Sequence, residues 1–161
     1  MKPSLQGLVE SYGENLYAIA FNVCGNIHDA EDVVQDTFLS YFTAKKEFES
    51  EEHIRAWLIR VAINKAKNKT RAFWHRNTVA LEDYMSSAEF PSSEASDLFE
   101  AVMKLPEKYR IVIHLFYYED YSIKEISEIL GLSSGNVKVR LSRGRESLRN
   151  TLKEEWDNDE S

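Results

Sequence analysis

A single cysteine, Cys24, leaves no partner for an internal disulfide and fits a reducing compartment. Nor does any apolar run approach the roughly 20 residues of a membrane span. The first stretch, MKPSLQGLVESYGE, lacks a charged-then-apolar signal-peptide pattern, so a cytoplasmic protein is expected. The four histidines, His28, His53, His75 and His114, are scattered, and none stands at metal-ligand spacing with cysteine or carboxylate. There is no phosphate-binding glycine loop and no nucleophile elbow. No alternating strand pattern or internal repeat is present either. With these gone, neither an enzyme nor a metal, cofactor or small-molecule substrate is expected. The function has to come from surfaces.

The 43% hydrophobic content over 161 residues suits one or two compact domains. Net charge is −7, an unpromising sign for a nucleic-acid binder until it is divided along the chain. Residues 1–80 carry ten basic and ten acidic side chains, residues 81–97 five acids and no base, and the remainder ten bases and twelve acids. Base is concentrated in two stretches with helical periodicity, and local potential decides where a polyanion docks.

The first helical pattern along the chain, Leu5 to Ala20, is amphipathic and ends at the turn pair Gly25–Asn26. Cys24 falls near its apolar end and reads as a buried thiol. A second helix, HDAEDVVQDTFLSYFTAKKEF, places Ala30, Val33, Val34, Thr37, Phe38, Tyr41 and Phe42 inward. Its polar face is acidic at one end, with Asp29, Asp32, Gln35 and Asp36. On sequence alone this is a surface matched to the helix dipole or a docking face for a basic partner. An acidic connector, residues 49–52, then leads to a third helix expected from His53 to about Arg76. From Arg55 to Arg76 it has seven bases and no acid. Leu58, Ile59, Ala62 and Ala66 share one side; Arg60, Asn64, Lys67 and Arg71 form a stripe on another. Trp57, Phe73, Trp74 and His75 are interleaved with them. Cations, amides and flat rings together suit unpaired nucleic acid, whose bases stack and hydrogen-bond; Trp57 taken alone reads as a core anchor.

Residues 79–97 lose the periodicity, gain serine and acid, and read as a flexible linker. The chain is therefore expected to be all-α: a domain over 1–78, the linker, a second domain over 98–155, and an acidic frayed tail over 156–161. The second domain opens with Leu98, Val102 and Leu105. Pro106 stands at the first position of the next helix, in which Val112, Ile113, Phe116 and Tyr117 face inward. Its main feature is the stretch Asp120–Arg149. Ile123, Ile126, Ile129 and Leu130 define a short helix capped by Ser122 and ended by Gly131. A second helix starts near Ser133 or Ser134, with Val137, Leu141, Leu148 and Leu152 on its apolar side and Gly144 allowing close packing. The other face carries Lys138, Val139, Ser142 and Arg143, flanked by Arg140 and Arg145. An apolar base under a cationic face is what a helix needs to enter a major groove.

Taken together, DAEDVVQDTFLSYF, AWLIRVAINKAKN, LPEKYRIVIHLFYYEDYSIKEISEILGLS and GNVKVRLSRGRESL make the chain resemble bacterial sigma-70 factors of the extracytoplasmic-function (ECF) group over nearly its whole length. The resemblance implies a promoter-specificity subunit of RNA polymerase, one serving a stress or envelope response. It implies that Asp29, Asp32, Gln35 and Asp36 face the clamp helices of the polymerase β′ subunit, with further contact to β. The minus-ten element falls to Phe48, Trp57, Arg60, Asn64, Lys67 and Arg71, with Lys45 and Lys46 beside the displaced strand. The minus-thirty-five element falls to Asn136, Lys138, Val139, Arg140, Ser142, Arg143 and Arg145. An anti-sigma partner is implied as well. Two positions depart from the family's pattern: Asn136 where many relatives have threonine, and Val139 where many have a small polar residue. Valine can touch a thymine methyl but cannot donate a hydrogen bond, so the usual upstream preference does not carry over. The rival readings are a self-sufficient, dimeric helix-turn-helix regulator, a nuclease with clustered carboxylates, and a structural adaptor.

Overall fold

Helix boundaries in this chain are set by side-chain caps and two left-handed glycines. In the computed structural model, which describes residues 3–73, 90 and 92–159 (side chains at 70–73 and 154–159 excepted), Ser4 accepts the Gly7 N–H and opens α1 (Leu5–Cys24). Gly25, at φ 66°, closes it, and its own N–H bonds back to the Phe21 carbonyl. One residue on, Asn26 caps α2 (Ile27–Thr43) by accepting the Asp29 N–H at 3.0 Å. The expected Gly25–Asn26 break is thus a helix stop followed directly by a helix start.

α2 is shorter than its pattern suggested. It ends at Thr43, and Ala44 is extended at φ −69°, ψ 132°, so Lys45, Lys46 and Phe48 lie in a non-helical connector. α3 (Glu51–Phe73) begins two residues earlier than expected, because Ser50 caps it by accepting the His53 N–H at 3.1 Å. Glu51 and Glu52 therefore belong to the first turn, where the helix dipole favours acids, and not to a connector loop.

The chain divides into two units, residues 1–77 and 78–161. In the first, α1, α2 and α3 each pack on the other two. Leu8, Leu16, Ile19, Val33, Leu58 and Ala62 fill the centre, and the α3 face Leu58, Ile59, Ala62, Ala66 is buried as its spacing implied. Cys24 is buried there too. Phe42, expected inside, is 66% exposed.

The second unit starts before the expected linker ends: α4 spans Ser93–Met103, with Ser92 accepting the Ala95 N–H. α5 (Glu107–Ile113) has Pro106 at its cap position, one residue outside the helix. Arg110 reaches back from α5 to donate to the carbonyls of Met103 and Leu105 at the end of α4. A π turn, His114–Tyr118, follows. Its extra residue advances the helical phase, so Leu115 is buried, Phe116 half-buried and Tyr117 50% exposed, where Phe116 and Tyr117 were expected inside. The turn also brings His114 and Glu119, both buried, to 3.6 Å. α6 (Ile123–Leu130) is held by a full capping box, Ser122 with Glu125, and closed by Gly131 at φ 68°. Ser133 then caps α7 (Ser134–Asp159) by accepting the Asn136 N–H at 3.1 Å. α7 continues through residues 156–159 of the tail expected to fray, the last two lying outside the described residues, and α4, α5 and α6 all pack against it.

Candidate nucleic-acid interface

α6 and α7 are joined by three residues, Gly131–Ser133, and form a helix-turn-helix. What fixes the rotation of α7 about its axis is its buried side. Val137 and Leu141 are fully buried, and burying each contributes about 1.5–3 kcal/mol. A Cβ at Gly144 would stand 2.5 Å from Ile113 Cδ1 and 3.4 Å from Tyr109 Cβ, so α5 and α7 are in close contact there. With that side locked, the opposite side is determined at about 100° per residue. Val139, 46% exposed, lies nearly opposite Val137, with exposed Ser142 and Arg143 beside it. Asn136 and Arg140 border this face on one edge, Lys138 and Arg145 on the other.

Both edge arginines already touch their own chain. Arg140 Nε donates to Asn136 Oδ1 at 3.1 Å. The Arg145 guanidinium stands 5.8 Å from the ring centroids of both Phe116 and Tyr117. Exposure of Tyr117, the consequence of the π turn, is what makes the second contact possible. Neither arrangement was anticipated from sequence, although Asn136 and Arg140 stand at the i, i+4 spacing that brings helix side chains together.

In the first unit, Arg60 and Asn64 are exposed on α3 and Lys67 is half-exposed beside them. Arg71 continues the stripe on the α3 backbone, and its side chain lies outside the described residues, as do the side chain of Phe73 and residues Trp74, His75 and Arg76 in full. Phe48 and Trp57 do not project as free stacking platforms. Their rings pack at 5.5 Å on each other, and Tyr41 stands 5.5 Å from Phe48 and 6.2 Å from Trp57. Lys46 Nζ lies 6.0 Å from the Phe48 ring centroid, and Lys45 and Lys46 are both exposed. The aromatic cluster thus ties the basic connector to α3.

On α2 the structure places Asp32, Gln35 and Asp36 on an exposed face, while Asp29 at the capped start is half-buried. Two apolar side chains extend that face down the helix: Leu39, 58% exposed, and Phe42. Sequence reading passed over Leu39, although its place seven residues after Asp32 puts it on the acidic side. Asp32 also meets Lys69 of α3 at 3.6 Å. A further surface missed from sequence is an apolar cleft of about 510 Å³ in the second unit, lined by Leu98, Val102, Ile113, Tyr118 and Leu148 with Tyr117, Arg145 and Arg149. Burial raises the Tyr118 phenol above its ordinary value, and Arg145 and Arg149 bring two positive charges to the cleft's lining. Among the described residues no cluster of metal-ligating side chains occurs, and no helix is long and apolar enough to cross a membrane.

Two helical units, an acidic-apolar helix face, a basic helix and a helix-turn-helix define a DNA-directed helical protein. Comparison with known proteins makes the class specific. Sigma-70 region 2 matches residues 8–76, and Sigma-70 region 4 matches residues 96–148. The ECF RNA polymerase sigma factor SigW of Bacillus subtilis is 29% identical, over 91% of this chain and 88% of that protein. The ECF RNA polymerase sigma-E factor of Haemophilus influenzae is 30% identical, over 78% of this chain and 75% of its own. Among solved structures, the sigma factor RpoE of Bartonella quintana, crystallised with the anti-sigma factor NepR, superposes with a TM-score of 0.71. It is 24% identical, over 92% of this chain and 96% of that one. The chain belongs to the ECF group of the sigma-70 family, and it is a sigma factor that directs promoter-specific initiation.

Proposed function

We propose that the work of a sigma factor is divided here among four surfaces, and that the chain does no chemistry of its own. The α2 face of Asp32, Gln35 and Asp36, extended by Leu39 and Phe42 and reached by Asp29 at its start, docks on the β′ clamp helices of core RNA polymerase. A basic partner answers the carboxylates, and its apolar side chains cover Leu39 and Phe42. The α3 stripe of Arg60, Asn64, Lys67 and Arg71 takes up the unpaired minus-ten strand, with Lys45 and Lys46 on its phosphates and Phe48 and Trp57 bracing the connector. The α7 face enters the major groove at the minus-thirty-five element. There Val139, Ser142 and Arg143 meet base edges, and Lys138, Arg140 and Arg145 lie nearer the backbone. The apolar cleft of the second unit accommodates a helix from the polymerase β subunit. An anti-sigma protein, the kind of partner present in the Bartonella complex, would here act by covering the polymerase-binding faces.

The observation that carries this reading is the exposed acidic and apolar face on α2 of a chain that also holds a helix-turn-helix. A dimeric regulator would have to pair this face with its own copy, acids close to acids, whereas a basic partner answers the carboxylates while covering Leu39 and Phe42, exposed by 58% and 66%. The test is run-off transcription with bacterial core polymerase on genomic fragments from the source organism. New discrete start sites are expected with the wild-type chain and at most 1 in about 10 of that signal with Asp32→Ala/Gln35→Ala, a loss of roughly 1.4 kcal/mol or more in docking. Start sites unchanged by that pair would remove α2 from the polymerase interface. Tight binding of the free chain to a palindromic duplex, with no start sites at all, would return the stand-alone regulator.

A further inference from the structure

We propose that Asn136 is a positioning residue, whose side-chain amide holds Arg140 at the edge of α7 so that Arg140, not Asn136, meets the DNA. The proposal rests on the reading of α7 as the minus-thirty-five helix and assigns roles within it.

Three observations converge. Asn136 Oδ1 accepts the Arg140 Nε–H at 3.1 Å. Nε is the inner nitrogen of the guanidinium, so this bond fixes the plane of the group while leaving its outer Nη fork for a phosphate or a guanine. Asn136 is itself anchored, because its backbone N–H is bound to the Ser133 cap at 3.1 Å in the first turn of the helix. Arg140 is half-buried, whereas Lys138 and Arg143 on the same helix are exposed. A long cation that is already ordered loses less freedom on binding than one that is not.

The same bond argues against Asn136 as a direct reader. Bidentate recognition of adenine needs the amide oxygen to accept from N6 while the amide nitrogen donates to N7. That oxygen is occupied by Arg140. Reading a base would mean sharing or releasing it, at the cost of the arginine's placement. Asn136 also lies toward the edge of the face whose centre is Val139.

The roles separate by experiment. Holoenzyme is reconstituted with full-length wild type, Asn136→Ala, Arg140→Ala and the double variant, and with Lys138→Ala/Arg143→Ala for reference. A duplex pool randomised over the promoter region is bound at several salt concentrations and the retained fraction sequenced. Asn136→Ala is expected to weaken binding roughly 3- to 10-fold and to change the base-preference profile in the way Arg140→Ala does. The double variant should bind within about 2-fold of Arg140→Ala alone. If Arg140 contacts phosphate, its removal also lowers the salt slope by about 0.9, and Asn136→Ala moves the slope in the same direction. The proposal is overturned if Asn136→Ala erases preference at a base pair that Arg140→Ala leaves intact, or if the two losses multiply in the double variant. It also falls if neither residue matters while Lys138→Ala/Arg143→Ala weakens binding, an outcome that leaves the α7 reading standing. A wild-type holoenzyme that binds the pool with the Lys138→Ala/Arg143→Ala profile overturns both.

Discussion

Cys24 illustrates how far one residue's surroundings set its chemistry. It ends an apolar helix, its Sγ donates to the Ala20 carbonyl at 2.9 Å, and burial, ahead of the nearby Asp29 charge, pushes the thiol from 9.0 up to about 11. The thiolate is the nucleophile, so the folded protein should be inert to iodoacetamide at pH 8 and alkylate readily in urea. Rapid modification of the native chain would show the site to be open. The raised value also ties stability to pH. The folded state holds the thiol proton more tightly than the unfolded one, so this contribution is fully present below pH 9 and is lost as pH rises toward 11. Urea midpoints at pH 8, 9 and 10 should therefore fall, and a flat series would contradict it. Burial of this thiol was legible in sequence because the apolar spacing around it is regular. The Asn136–Arg140 bond was not, because each residue separately suits a DNA-facing helix and nothing in their identities says that they engage one another first.

At the scale of the element, caps and stops could be read closely while phase could not. Ser122, Gly131, Ser133 and the Gly25–Asn26 pair act where residue chemistry put them. Phe42 and Tyr117 went wrong for different reasons. Phe42 continues the inward stripe of α2, but the helix ends one residue later, and the side chain emerges beside Leu39 on a face that sequence had assigned to acids alone. Tyr117 comes after the buried run 111–115 and the half-buried Phe116, and a π turn inserts its extra residue there; hydrophobic periodicity assumes a constant pitch and cannot register such an insertion. Gly144 is a position where the element-level reading has energetic content. Any Cβ at 144 meets Ile113, and a branched one also crowds Tyr109 on the same helix. Gly144→Val should destabilise the second unit by about 1–3 kcal/mol. Most of that comes from the Ile113 side chain, so the penalty should shrink in an Ile113→Val background, where Cδ1 is absent. Paired urea melts check this, and equal penalties in both backgrounds would place the strain elsewhere.

For the whole molecule the governing fact is that an acidic chain carries two concentrated basic stretches. The net charge of −7 combines seven bases without an acid from Arg55 to Arg76, five bases against one acid from Asn136 to Arg149, and five acids within the last eight residues. Such a distribution is expected to keep the free chain's affinity for DNA low, because the long-range field opposes approach while the local faces still match phosphate. On the proposed function, polymerase docking would supply the proximity that the field denies, by raising the local concentration of DNA at both basic faces. Ending the chain at Lys153 removes those last five acids and takes the net charge from −7 to −2. Four of these acids, Glu154 to Asp159, continue the same helix, and at about 1.5 Å per residue Glu154 stands roughly 14 Å along the axis from Arg145, comparable to the Debye length of roughly 14 Å at 50 mM salt. Truncation should accordingly tighten non-specific duplex binding by the free chain about 2- to 5-fold at 50 mM salt, with the gain vanishing near 0.3 M as screening shortens to a few ångströms. Fluorescence anisotropy on a random-sequence duplex measures both limits. A gain that persists at high salt would mean that the tail contacts the reading face directly, and no gain at low salt would mean that the acids lie too far from that face to matter.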